Sequence, residues 1–226
     1  MSKLLWDQVG EHIYETGTKQ GVLYRQAADG TYPLGVAWNG LTAVNESPEG
    51  AEPTDIYADD IKYLTLRSTE NFKATIEAYT YPDEFAECNG EAALMAGVNI
   101  GMQPRKAFGF SYVTTVGNDT ELDSYGYKIH LIYGATVSPS EKSYQTINDS
   151  PEAITFSWEM DTIPVPVTGH KATAHMTIDS TKFNTPELQT KLAALEDVLY
   201  GSASGDPHLP LPDDVLYILQ NGEERD

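Results

Sequence analysis

The residues most capable of chemistry in this sequence are its serines, acidic clusters, histidines and single cysteine. The stretch 201–205 reads Gly-Ser-Ala-Ser-Gly and superficially matches the turn that presents a catalytic serine. That turn needs the serine at its centre and a strand before it. Ala203 holds the central position and no strand pattern precedes it, so the stretch is predicted to be a flexible linker.

Acidic residues alternate from Asp119 to Asp123, as they do at the start of a calcium-binding loop. Such a loop needs a glycine at its sixth position and a glutamate at its twelfth. Counted from Asp119, the sixth residue is Ser124 and the twelfth is His130. The segment therefore predicts the tip of a β-hairpin rather than a calcium site.

The histidines do not show the spacing of metal ligands. The five are His12, His130, His170, His175 and His208. His170 and His175 are five residues apart, so on a strand their side chains point to opposite faces. A zinc site needs several side chains that converge on one ion. We therefore expect no metal site, and we interpret the histidines as surface or packed residues.

Cys88 is the single cysteine, so the chain cannot form an internal disulfide, as suits folding in a reducing compartment. It lies between Glu87 and Asn89, and no adjacent cation favours its thiolate form. A buried, inert thiol is the better interpretation. The sequence also lacks a phosphate-binding or dinucleotide-binding fingerprint. We expect no catalytic residue, no cofactor and no enzymatic activity.

Period-two alternation of apolar residues dominates the chain and predicts a mainly β fold. Six segments alternate over seven or more residues, and two shorter ones precede them. The predicted strands are 21–26, 34–38, 61–67, 71–80, 107–116, 127–133, 153–160 and 170–179. In 153–160, for example, Phe156, Trp158 and Met160 fall on one face. β-branched and aromatic residues of this kind suit half-buried pleated surfaces.

One amphipathic helix is clear near the C-terminus. Thr185 is a good N-cap, Pro186 suits the first helical position, and Gly201 provides the stop. One stripe at helical spacing consists of Leu188, Leu192, Leu195 and Leu199. A short helical turn at 82–87 and a last short helix at 212–219 are also plausible.

Long connections separate these elements. Residues 45–60 are acidic and rich in proline, glycine and glutamate, and loops of that length are usually functional. We predict one domain, 1–226, with an N-terminal arm at 1–16, a long acidic loop at 45–60 and a C-terminal extension at 201–226. The predicted fold is a β-sandwich or barrel with one flanking helix and long loops.

The charge balance is strongly acidic. The formal net charge is −20, and the excess of acids is spread along the whole chain rather than collected in a tail. Binding to nucleic acid phosphates needs clustered lysine and arginine, and the densest basic pair is Arg105-Lys106. Tight DNA wrapping is therefore excluded. No window approaches the roughly 18 apolar residues that a membrane span needs, so we expect no membrane insertion.

Several segments together resemble a known family. They are GVAWNGL at 35–41, AYTYPDEF at 78–85, GYKIHLIYGA at 126–135, PSEK at 139–142, TINDSPEAITFSWE at 146–159 and PVPVTG at 164–169. The pattern is similar to that of the major tail proteins, or tail tube proteins, of long-tailed bacteriophages and prophages. The resemblance covers essentially residues 12–219 and contains no catalytic signature.

The resemblance implies a structural virion protein that assembles in the host cytoplasm. Such proteins form hexameric rings from a β-sandwich or barrel, and the rings stack into a tube through which DNA passes at ejection. The implied partners are further copies of the chain and the tail tip or baseplate, tape-measure and tail terminator proteins. A lumen lined by carboxylates would repel phosphate, so DNA would transit the tube without binding.

The resemblance also suggests roles for particular residues. We expect the loop 45–60 and the arm 1–16 to make ring-to-ring contacts, and the leucine helix to pack outside the sheet between subunits. The candidate inter-ring residues are Glu46, Glu49, Glu52, Asp55 and Tyr57. The candidate subunit-packing residues are Leu188, Leu192, Leu195 and Leu199. The bases expected to neutralise acids at seams or walls are Lys62, Arg67, Lys73 and Lys128.

Three alternatives stay open at the level of the sequence. The chain could form the tube of a related contractile or tail-like injection particle, which shares the fold. The fourteen tyrosines and three tryptophans would also suit a monomeric sugar-binding sandwich. A hydrolase with a cryptic site is the third. Hollow rings or tubes in the electron microscope would separate the tube proteins from the other two.

Overall fold

The computed structural model describes residues 3–147, 149, 152–203 and 205–225, and these form fourteen strands and two α-helices. The strands are β1 (Tyr14–Arg25), β2 (Gly35–Trp38), β3 (Leu41–Glu46), β4 (Glu49–Gly50), β5 (Pro53–Ala58), β6 (Ile61–Arg67), β7 (Glu70–Asn71), β8 (Lys73–Ala78), β9 (Ala92–Met95), β10 (Val98–Ile100), β11 (Phe108–Asn118), β12 (Leu122–Val137), β13 (Phe156–Thr162) and β14 (His175–Asp179). The helices are α1 (Pro186–Tyr200) and α2 (Pro212–Asn221), and single 3₁₀ turns lie at Asp83–Phe85 and Ser180–Lys182. The fold is mainly β and of β-sandwich type, as predicted.

One antiparallel sheet forms the body of the molecule. Its strand order is β2-β1-β11-β12-β13-β8-β3, and β14 pairs with the middle of the long strand β12, at residues 128–132. At the far end of this path, β3 comes back against β1, so the sheet curls around its own inner face. The β11–β12 hairpin is the centre of the sheet, and its tip at 119–121 is the acidic segment that the sequence predicted to be a turn.

The inner face of the curled sheet encloses an aromatic core. Trp38 and Trp158 are both buried, and their rings meet edge-on at 5.5 Å. Phe85 enters from the predicted helical turn and contacts both tryptophan rings. Cys88 is buried beside this cluster, as expected, and burial raises the pKa of its thiol to about 12. Edge-to-face aromatic pairs add to the stability that burial itself provides.

The outer face of the sheet is covered by both helices. Helix α1 begins as predicted, because Thr185 Oγ1 accepts a hydrogen bond from the Leu188 amide. A second helix, α2, lies beside α1 and extends the predicted 212–219 segment to Asn221. The prediction of one flanking helix was therefore incomplete. Val215 and Ile218 of α2 are buried in the same layer as the leucines of α1.

The segment 45–60 is not a loop. Its first residues finish β3, and the chain then pairs with itself: β4 with β7 and, further out, β5 with β6. Residues 49–71 thus form a two-stranded projection, which we call the arm ribbon. Its outgoing strands hold about ten residues, and at roughly 3.3 Å per residue they reach about 30 Å. Proline and glycine made the segment look unstructured, but they sit at the ribbon's strand ends and root.

The ribbon turns at Asp59 and Asp60, whose φ angles are 51° and 58°. Two successive left-handed residues make a two-residue hairpin turn whose twist matches that of paired strands. Aspartate tolerates this conformation better than most side chains because its carboxylate can bond to the local backbone. The acidic pair therefore has a structural use at the tip of the ribbon.

Residues 3–13 run ahead of β1 and are tied to the tip of the β11–β12 hairpin. The carboxylate of Asp119 accepts hydrogen bonds from the Gly10 amide at 3.0 and 3.1 Å and lies 3.1 Å from Nδ1 of His12. Tyr14 donates to Asp123 at 2.9 Å. The predicted arm 1–16 thus includes the start of β1. Neither helix among the described residues is long and apolar enough to cross a membrane.

Candidate functional site

Three projections from the sheet expose large apolar side chains that the body does not cover. The N-terminal segment exposes Leu4, Leu5, Trp6, Val9 and Ile13. The arm ribbon exposes Ile56, Tyr57, Ile61, Tyr63, Leu64 and Leu66. The β9–β10 hairpin and its flank expose Leu94, Met95, Val98, Ile100 and Met102. Clustered exposed apolar groups of this kind mark interaction surfaces, whereas single ones are ordinary.

The arm ribbon has one apolar face and one polar face. Ile56 pairs with Leu64 and Thr54 with Leu66, so these four side chains lie on one side of the ribbon. On the other side, Asp55 accepts a hydrogen bond from Thr65 at 2.7 Å. Every residue of β5 and β6 is solvent-exposed. A two-stranded ribbon is marginally stable alone in water, so this apolar face needs a partner.

The five candidate inter-ring residues lie in different places. Asp55 and Tyr57 are on strand β5 of the exposed ribbon, and Glu52 immediately precedes β5 near the ribbon's root. Glu49 is also at the root, where it pairs with Lys73 at 3.0 Å. Glu46 is not on the ribbon, because it ends β3 and reaches a polar cluster on the body. The structure therefore groups four of the five and separates Glu46 from them.

The candidate packing helix buries its leucine stripe inside its own subunit. Leu192, Leu195 and Leu199 are buried against the outer face of the sheet, and Leu188 is half-buried. A contact between this helix and a neighbouring subunit would consequently use the opposite face of α1. The sequence pattern located the stripe correctly, but the pattern alone does not say which surface covers it.

The strand-borne lysines pair with acids of the same chain. Lys62 lies 2.7 Å from Asp55 on the ribbon, and Lys128 lies 2.6 Å from Glu15. Lys73 lies 3.2 Å from Asp161, in addition to its contact with Glu49. Exposed pairs of this kind contribute little stability each, but they lower the local charge density on a very acidic surface.

A second feature, which the sequence did not predict, is a cluster of Glu46, His130 and His175. One donor atom of each side chain lies within 4.8 Å of the others. Oε1 of Glu46 is 3.7 Å from Nδ1 of His130 and 3.3 Å from Nε2 of His175. The histidines are 45 positions apart and come from different strands, so no local spacing could reveal the cluster.

Strand pairing explains how the cluster forms. His130 on β12 is opposite Thr177 on β14, and His175 is opposite Ile132, so the two histidines are diagonal neighbours on one face. Their rings stack at 5.7 Å with an interplanar angle of 12°. The spacing argument, which found no histidine pair with the spacing of zinc ligands, missed this pair because it compared only positions along one strand.

The cluster is enclosed by aromatic rings. Tyr112 stacks on His130 at 4.5 Å, and Phe72 stacks on His175 at 4.7 Å. The hydroxyl of Tyr112 also donates a 2.5 Å hydrogen bond to Oε1 of Glu46. Burial lowers the pKa of both histidines, while the Glu46 carboxylate opposes that shift. Burial and then Glu46 raise the pKa of the Tyr112 hydroxyl.

Comparisons with known proteins give only weak likenesses. No protein-family profile matches the chain, and no curated protein matches it. Among solved structures, a sheath/tube terminator of an extracellular contractile injection system (PVC, extended state) is 9% identical with a TM-score of 0.32, covering 70% of this chain and 93% of that one. A chain of the PVC sheath–tube complex is 11% identical with a TM-score of 0.31, covering 71% and 88%. A chain of the anti-feeding prophage baseplate is 9% identical with a TM-score of 0.35, covering 79% and 97%. Scores this low do not establish a shared fold, so the case for function rests on the chain's own sequence and surfaces.

Proposed function

We propose that this protein is the tube subunit of a long-tailed bacteriophage tail. In this proposal it assembles as hexameric rings that stack into a hollow tube, and DNA passes through the tube during ejection. The sequence pattern described above supports the family. The arm ribbon is the single structural observation that carries the assembly role, because an amphipathic ribbon with an uncovered apolar face requires a second chain.

A second copy of the same chain is the occupant that the proposal assigns to the ribbon. The other two apolar projections, the N-terminal segment and the β9–β10 hairpin, give each subunit further exposed apolar surface. A head-to-tail arrangement of such contacts closes into rings when the rotation closes, and otherwise continues as a filament. Stacked rings need contacts that close each ring and further contacts that join one ring to the next. A subunit with several separate projections can make both.

The acidity has a use in such a tube. A formal charge of −20 per chain gives the assembled particle a strongly negative field. A channel with that field repels phosphate, so DNA slides without attachment. Several basic side chains on the sheet and ribbon pair with acids of their own chain, which reduces the positive charge that they present to DNA.

The proposal makes the protein structural rather than catalytic. Its location is the virion tail, assembled in the host cytoplasm, and its partners are tail tip or baseplate, tape-measure and terminator proteins. The alternative is the tube of a related injection particle, whose lumen carries another cargo. That tube needs a subunit with the same exposed apolar projections and acidic surface. A sheath protein encoded nearby would assign the tube to a contractile particle.

Electron microscopy of the concentrated protein tests the proposal. Charge repulsion between subunits opposes assembly at low ionic strength, and 1 M salt shortens the screening length to about 3 Å. We therefore expect hollow rings or tubes to appear as salt and protein concentration rise together. A channel wide enough for duplex DNA would support the proposal. A protein that stays monomeric at every concentration and salt, or that binds glycans as a monomer, would contradict it.

A further inference from the structure

The cluster of Glu46, His130 and His175 contains a buried ring nitrogen whose surroundings do not satisfy it. Oε1 of Glu46 faces Nδ1 of His130 at 3.7 Å, and that nitrogen is buried and has no hydrogen-bond partner among the described residues. The whole His130 residue is only 8% exposed. A buried polar atom without a partner costs free energy, so its presence calls for an explanation.

The neighbouring hydrogen bonds fix which nitrogen of neutral His130 carries the proton. The hydroxyl of Thr114 donates its one proton to Oε1 of Glu15 at 2.6 Å. The same hydroxyl oxygen lies 3.0 Å from Nε2 of His130, so in this contact it can only accept. Nε2 therefore carries the proton, and Nδ1 presents a lone pair toward the carboxylate oxygen of Glu46. Two acceptors that face each other need a cation between them.

We propose that Glu46, His130 and His175 bind a divalent transition metal ion, with zinc the best match. Two imidazole nitrogens and one carboxylate oxygen form a common set for zinc, iron, cobalt and nickel, and such sites leave a position open for water. Ligand atoms about 2.0–2.1 Å from a tetrahedral ion lie roughly 3.3 Å apart. The separations of 3.3 and 3.7 Å between Glu46 and the two histidine nitrogens are already close to that value.

The surroundings of the three side chains resemble the outer shell of a metal site. Metal-binding histidines usually donate their other ring N–H to a protein oxygen, and Nε2 of His130 does so to Thr114. The ligating carboxylate is itself hydrogen-bonded, by the hydroxyl of Tyr112. An ion can reach the cluster, because Glu46 and His130 line one surface pocket and His175 lines another.

The site lies at the root of the arm ribbon. Glu46 is the last residue of β3, from which the chain leaves for the ribbon, and Phe72 stacks on His175 where the chain returns. A bound ion would join the departing strand to β12 and β14 in the body. The ion would therefore hold the base of the ribbon in one position, whereas an ion bound inside the core would only stabilise the fold.

Metal uptake by the full-length protein tests the inference. The metal-free protein is titrated with Zn²⁺ by calorimetry and with Co²⁺ by visible absorption, which reports directly on ligand type and geometry. We expect one ion per chain. His175→Gln and Glu46→Gln should each weaken binding at least about tenfold, and Tyr112→Phe should weaken it by roughly 10–100-fold as an outer-shell change.

The controls separate a metal site from a folding defect. His175 and Glu46 are preferred to the more buried His130, and each variant is checked by circular dichroism and by its urea midpoint. The matched control is His208→Gln, because His208 also contacts a glutamate, Glu224, at 2.7 Å but belongs to no three-ligand cluster within the described part of the chain. That variant should bind the metal normally.

Two results would overturn the inference. One is the absence of stoichiometric Zn²⁺ or Co²⁺ uptake by the folded wild-type protein. The other is undiminished uptake by the folded Glu46→Gln/His175→Gln double variant, which would place the ion elsewhere on the chain.

Discussion

Truncating the apolar face of the arm ribbon should block assembly and leave the folded body intact. The perturbation is the double variant Leu64→Ala/Leu66→Ala. In the isolated chain Leu64 is 38% exposed and Leu66 is 54% exposed. Full burial of a leucine side chain is worth about 1.5–3 kcal/mol, so covering the exposed part of each should yield about 1 kcal/mol.

The double variant therefore loses about 2 kcal/mol for each ribbon contact in the assembly. At 1.4 kcal/mol for each factor of ten, this corresponds to a roughly 30-fold rise in the protein concentration needed for assembly. The free energy of unfolding of the body should change by less than about 0.5 kcal/mol, because neither side chain belongs to a core cluster of the body. Sedimentation measures the concentration threshold, and urea titration measures the stability.

The matched control is Leu216→Ala on helix α2, where the leucine is 42% exposed and belongs to none of the three projections. We expect this variant to assemble at nearly the wild-type concentration. The reasoning is refuted if the ribbon variant and Leu216→Ala assemble equally well. It is also refuted if the ribbon variant lowers the urea midpoint as much as a core substitution does, since the ribbon would then be part of the folded body's core.

Three further predictions concern the body. A hydrogen bond from the Gly10 amide lowers the pKa of Asp119. The docking of the N-terminal segment is therefore strongest above about pH 4 and is lost as the pH falls through that lowered pKa. Asp119→Ala should abolish the hydrogen-exchange protection of the Gly10 amide at neutral pH. Phe85→Ala should destabilise the protein by about 3–5 kcal/mol, measured by urea unfolding, because it empties a fully buried aromatic site. Cys88, with a pKa raised to about 12, should resist alkylation at pH 8 in the folded state and react on unfolding.

Each of these predictions has a contrary outcome. Equal Gly10 exchange in wild type and Asp119→Ala would mean that the N-terminal segment is not held by the hairpin tip. A loss below about 1 kcal/mol in Phe85→Ala would mean that the aromatic core closes around the cavity. Alkylation of Cys88 in the native protein at the rate of a free thiol would mean that the inner core opens readily.

The elements that follow local rules were predictable. The leucine stripe of α1 and its Thr185 cap were read from spacing and residue type, and both are present. The inward face of β13, with Phe156, Trp158 and Met160, was also read correctly, because alternation along one strand is a local property. The arm ribbon was half missed. Its second strand was predicted, but its first was hidden by proline, glycine and acidic residues.

The uncovered apolar face of the arm ribbon carried a signal in the sequence. Residues 61–67 alternate, and this was interpreted as one half-buried strand, but both sets of alternating side chains remain exposed. Alternation shows that two faces differ and does not show what covers either of them. The run Leu4, Leu5 and Trp6 near the N-terminus was a further clue, because large apolar residues outside any predicted element need a partner.

The sequence by itself determined that this chain is acidic and mainly β with a capped amphipathic helix, and it supplied the resemblance to tail tube proteins. Only the tertiary structure decided which apolar faces stay uncovered and which distant side chains meet. His130 and His175 illustrate the reason. Each is unremarkable in its own strand, and their juxtaposition with Glu46 comes from the pairing of β12 with β14 and the curl that returns β3. Contacts between strands depend on register, and register is a property of the whole sheet.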